Sequence, residues 1–71
     1  MKYIAGKCLL NEILAKAGMT QADLSVRTGI SRSQINGYKR NHTEMTISVA
    51  RTISAALNCT IEDLYEWKSK K

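Results

Sequence analysis

Between Asp23 and Glu44 the chain carries no acid, yet Arg27, Arg32, Lys39 and Arg40 all fall there. The densest part, TGISRSQINGYKRN from Thr28 to Asn41, sets Ser31, Ser33, Gln34 and Asn36 around a lone Ile35. So many donors without a carboxylate suit an anionic partner whose polar edges are to be read. Arginine offers a fork that fits guanine O6 and N7, asparagine pairs with adenine, and serine meets several base edges. Lysine and arginine also meet phosphates, which add affinity but no sequence information. A carboxylate in this segment would repel a nucleic-acid backbone.

The whole composition agrees with that reading. The chain has 71 residues and a formal net charge of +5. That length predicts one domain, here 1–71, with 1–5 and 68–71 as flexible ends. The charge favours nucleic acid first, and an acidic protein or membrane surface second. The tail lysines, Lys68, Lys70 and Lys71, are explained well enough by solubility.

Catalysis finds little support. There is one histidine, His42, and no Gly-rich phosphate loop. Glu62 and Asp63 read as first-turn acids of a helix rather than an acid–base pair. Cys8 and Cys59 form no CxxC pair, and the chain lacks regular ligand spacing for zinc. They read as two small thiols in a reducing cytoplasm, with a disulfide or a site shared with His42 as the alternatives. No cofactor and no metal are expected. No apolar run approaches the ~20 residues that span a bilayer, so no membrane partner is expected. Lys7, Asn11 and Glu12 interrupt the apolar start, and no leader is expected.

The elements that must carry the donor-rich segment all read as helices. Leu9, Leu10, Ile13, Leu14 and Ala17 form a helical stripe over about residues 6–17, closed by Gly18. Thr20 with Asp23 predicts a capped second helix, ending at Gly29. Ser31 with Gln34 predicts the third, with Ile35 and Tyr38 facing inward. Thr46 caps a fourth, running to about Asn58. Thr60 with Asp63 caps a short fifth, carrying Ile61, Leu64, Tyr65 and Trp67. No convincing strand alternation is visible. The prediction is all-α, a compact bundle of five helices.

Helices two and three meet over a tight turn at Gly29, with Ser25 small at the contact. That spacing predicts a helix-turn-helix. The outward residues of helix 31–40 are then Arg32, Ser33, Asn36, Gly37 and Arg40, with Gln34 and Lys39 at the flanks.

The motifs MTQADL, TGISRSQI and ISAALNCTIEDL span about residues 9–65. With them the chain resembles the Cro/CI-type (XRE-like) helix-turn-helix regulators of bacteria and their phages. The resemblance implies a lambda-repressor-like DNA-binding domain in the cytoplasm. It implies a repressor or other transcription regulator, a homodimer on a pseudo-palindromic operator of double-stranded DNA. Half-sites would lie roughly 34 Å apart. Dimerisation is expected to be weak or DNA-assisted, through 59–67. The alternative on the same scaffold is a protein-interaction module of antitoxin or anti-repressor type, using Ile61 to Trp67.

The resemblance also implies roles. Arg32 and Ser33 match the first two base-reading positions, with Asn36 and Gly37 completing the base-reading set. Gln21 matches the phosphate-contacting glutamine, beside Thr20. Ser31, Lys39, Arg40, Asn41 and Thr43 complete the phosphate-contacting set. There are departures. Gly37 has no side chain where the family usually reads a third base. An Asn-Gly pair there can also end a helix early. Leu14 and Lys39 stand where many members hold an arginine–glutamate pair, which would leave Lys39 free for DNA. Asn41 replaces a turn glycine, and asparagine tolerates the left-handed region.

Overall fold

The computed structural model describes residues 2–70. In chain order it holds β1 (Lys2–Cys8), α1 (Leu10–Ala17), α2 (Gln21–Thr28), α3 (Arg32–Lys39), α4 (Ile47–Leu57), a 3₁₀ turn (Ile61–Leu64) and β2 (Tyr65–Lys70). Four α-helices thus stand where five were expected, and a two-stranded antiparallel sheet joins the two ends of the described chain.

The caps follow from the hydroxyl residues. Thr20 Oγ1 accepts from Asp23 N, and Asp23 Oδ2 accepts from Thr20 N, a closed capping box. Thr60 and Asp63 repeat it. Ser31 and Thr46 each accept from the amide three residues on. The Gln34 carboxamide accepts from the Ser31 hydroxyl instead of the Ser31 amide, so that box is only half formed.

The ends are as clearly determined. The amide two residues past α1 and α4, and three past α3, returns to the carbonyl five residues earlier: Met19 to Leu14, Cys59 to Ser54, His42 to Gly37. Each such end needs a left-handed residue, and Gly18, Asn41 and Asn58 supply it with φ of 67°, 59° and 55°.

Leu10, Leu14, Leu24, Ile35, Tyr38, Ala50, Ile53, Leu57 and Leu64 form one core, joined by Cys8 and Tyr65 from the strands. All four α-helices therefore bury at least one side chain in common.

The fifth helix is the main correction to the all-α expectation. Its cap is present, but only the four residues Ile61–Leu64 turn, and Tyr65 is extended at φ −136° and ψ 153°. In a longer α-helix the Glu62 carbonyl would accept the amide of residue 66. Here it accepts the Trp67 indole N–H at 2.9 Å. The stretch Tyr65–Lys70 is then free to pair with β1.

The predicted start of α1 at residue 6 is corrected in the same way. Gly6 to Cys8 belong to β1, and the Leu9 amide donates to Leu64 O at 2.8 Å. Residues 2–5 and 68–70, expected as flexible ends, are strand-paired; Met1 and Lys71 lie outside the described residues.

Candidate nucleic-acid interface

The turn between α2 and α3 is held by hydroxyl side chains. Ser25 Oγ donates to Ile30 O at 2.6 Å, and Thr28 Oγ1 donates to Leu24 O at 2.8 Å. Thr28 Oγ1 also accepts the Ile30 amide. Gly29, at φ 75°, closes α2 with its amide on Ser25 O. Ser25 thus does more than save space at the helix contact. It satisfies a carbonyl that the sharp turn would otherwise strand.

Leu24, Ile35 and Tyr38 are buried, which fixes the rotation of α3 about its axis. Arg32, Ser33, Gln34, Asn36 and Arg40 are exposed, and Gly37 is half-buried. A Cβ at Gly37 would meet nothing within 4 Å. The helix continues through it to Lys39, so the Asn-Gly pair does not end it. An α-helix is about 10–12 Å across, a diameter that a major groove about 12 Å wide admits. No acid stands in its first turn.

Gln21 binds α2 to α3. Its Nε2 donates to Arg32 O at 2.8 Å, and its Oε1 accepts Lys39 Nζ at 2.8 Å. The expectation that Lys39 is free is therefore corrected, since its ammonium is tied to Gln21. Because the carboxamide oxygen faces a cation, its nitrogen faces the Arg32 carbonyl. A second N–H of Gln21 and further N–H groups of Lys39 remain for an anion. Thr20 and Ser31 are engaged as caps by their side-chain oxygens.

Asn41 has a role that sequence reasoning missed. Its left-handed backbone was legible; its side chain was not. Oδ1 accepts the Cys8 amide at 2.9 Å and Nδ2 donates to Gly6 O at 3.0 Å. The turn after α3 thereby holds the free edge of β1. Arg40, His42 and Thr43 around it are exposed.

Residues 9–70 match the family described as the Cro/C1-type HTH DNA-binding domain. The chain belongs to that family. It is 40% identical over 72 residues to the SPbeta prophage-derived uncharacterized HTH-type transcriptional regulator YopS of Bacillus subtilis (strain 168), covering 100% of this chain and 97% of that protein. It is 38% identical over 66 residues to the SPbeta prophage-derived uncharacterized HTH-type transcriptional regulator YotL of the same strain, covering 87% of this chain and 79% of that one. The helix-turn-helix of this member is α2 and α3, and α3 is the helix that presents donors.

Cys8 and Cys59 are both free thiols, and burial pushes both up from the ordinary thiol range. That keeps them protonated and unreactive near neutrality. No cluster of three or more His, Cys, Asp or Glu that could hold a metal occurs among the described residues. No helix among them is long and apolar enough to cross a membrane.

Proposed function

We propose that this chain is a small phage- or prophage-type transcription regulator, acting as a repressor in the bacterial cytoplasm. It reads duplex DNA with α3 in the major groove. Arg32, Ser33 and Asn36 meet base edges, and Gly37 lets the backbone approach closely. Gln21, Lys39, Arg40 and Thr43 meet phosphates, as do the helix starts at Thr20 and Ser31. Asn41 positions the turn after α3, since its side chain is held by β1 and its amide by Tyr38 O. The observation that carries this reading is the exposed, acid-free outer face of α3, oriented by three buried neighbours and by Gln21. The names of both relatives, prophage-derived transcriptional regulators, support it.

Two copies would read a pseudo-palindromic operator. The contact we assign to them includes Ile61 and Trp67, within the expected 59–67, with Tyr3 and Ile47 beside them. Tyr3, Ile47 and Trp67 are exposed at 67%, 78% and 44%, a large apolar area for so small a chain. Tyr3, Ile61 and Trp67 line one cleft; Ile47, Ile61 and Trp67 line the next.

The test is fluorescence anisotropy on duplexes tiled across the DNA flanking the gene, with a scrambled duplex as control. One duplex should bind ~10³-fold tighter than the scramble. Arg32→Ala should weaken it by ~10- to 100-fold, the range of one lost bidentate base contact. Equal binding to every duplex, collapsing with salt, would defeat the reading. If Arg32→Ala and Arg40→Ala leave regulation in cells intact while Trp67→Ala abolishes it, the protein-interaction module is the better account.

A further inference from the structure

The two strands present one apolar and one basic face. Their register pairs Tyr3 with Ser69, Ala5 with Trp67 and Cys8 with Tyr65, and these share the face that runs into the core. The opposite face pairs Lys2 with Lys70 and Ile4 with Lys68. Across both strands there are four lysines, Lys2, Lys7, Lys68 and Lys70, against the single acid Glu66. Like charges directly opposite on one sheet face are unfavourable. An anion lying across them would remove that cost.

The position of this face is fixed by Asn41. Its side chain grips Gly6 O and the Cys8 amide, so Lys7, between them, is held against the turn that follows α3. Gly6 also accommodates Lys68. A Cβ at Gly6 would lie 3.2 Å from Lys68 Cε and 3.0 Å from Glu66 O. The Lys68 stem therefore crosses from β2 over β1 at the residue whose carbonyl Asn41 holds. Asn41 thus ties the strand pair and its lysines directly to the turn that exposes Arg40 beside it. A β-bulge between Ala5 and Cys8 marks the junction.

We propose that the basic face of β1 and β2 is a second duplex-binding surface, made of phosphate contacts outside the helix-turn-helix. Lys2, Lys68 and Lys70 grip the backbone flanking the half-site that α3 reads, and Lys7 bridges the two regions. This rests on the DNA-reading role given to α3, but it is tested by a different quantity. Neutralising a phosphate contact changes the salt dependence of binding and weakens all sequences alike.

The experiment compares the full chain with the triple variant Lys2→Gln, Lys68→Gln, Lys70→Gln, each bound to the preferred and the scrambled duplex over a salt series. The slope of log K against log[salt] should become shallower by about 2.7 for each bound copy, close to 0.9 for each lost contact. The ratio between preferred and scrambled duplexes should stay the same. The triple Lys→Arg variant should keep the original slope. An unchanged slope in a variant of native circular dichroism overturns the proposal. It does so even if the variant self-associates, because the lysines would then serve to guard exposed strand edges. A changed ratio with an unchanged slope overturns it too. If no duplex is preferred, the reading of α3 fails, while the slope on any duplex still decides the role of the strand pair.

Discussion

At the scale of single residues, Asn41 carries two separable loads. Its backbone must be left-handed for the end of α3, and its side chain joins that end to β1. Glycine can do the first but not the second; alanine can do neither well. Asn41→Gly should therefore lose only the strap, leaving the Cys8 amide and Gly6 carbonyl short of a partner, at about 1–3 kcal/mol. Asn41→Ala should lose about 1 kcal/mol more, the cost of forcing a Cβ into the left-handed region. Urea unfolding followed by circular dichroism separates the two. Equal losses would mean that the strap, not the backbone, sets the stability of this turn. Gln21 carries a similar double load. It orients α3 through the Arg32 carbonyl and holds the Lys39 ammonium on its carboxamide oxygen.

At the scale of elements, the caps are the best test of how the helices are bounded. The Thr20 amide and hydroxyl, both bonded to Asp23, hold its carboxyl below the usual carboxylate range, and Thr60 does the same for Asp63. A lowered folded pKa contributes stability that is present above the unfolded value of about 3.9 and lost as pH falls through the folded one. The melting temperature should thus fall on acidification below about pH 4. Asp23→Asn with Asp63→Asn should flatten that fall, as a thermal series across pH would show; an unaltered acid limb would place the titration elsewhere. These elements were legible because caps and stripes are local patterns. Thr20, Ser31, Thr46, Gly18 and Gly29 bound the elements expected of them, while Thr60 caps a 3₁₀ turn in place of the expected helix. The strands were not legible, because their pairing is not local: Lys2 meets Lys70 across the whole described chain. The stretch Tyr65 to Trp67 reads as the rest of a helix until the Trp67 indole takes the carbonyl that the helix would have used. The outward donors of α3 could be picked out from Ile35 and Tyr38 alone. The links from Gln21 and Asn41 could not, since each joins segments that only the fold brings together.

At the scale of the molecule, the described chain measures 39 × 21 × 19 Å, longer in one direction than a compact bundle of this size requires. The outer parts of β1 and β2 are exposed, and the apolar side chains Tyr3 and Trp67 lie on them. If a second copy covers that face, sedimentation velocity should show a dimer that strengthens on a two-half-site duplex. Trp67→Ala should reduce the complex to single occupancy while leaving a lone half-site bound as before. A dimer unaffected by Trp67→Ala would move the contact off this face.

The pairing of β1 with β2 also dictates an order of events. During synthesis Lys2–Cys8 emerges first and waits for Tyr65–Lys70, which emerges after every helix has been made. Closing so long a loop costs entropy that the ribbon alone is too small to recover. The helices must therefore assemble first and bring the two ends together. The basic ribbon completes itself only on a finished bundle, so a nascent or truncated chain would carry a reading helix before it carried the grip beside it.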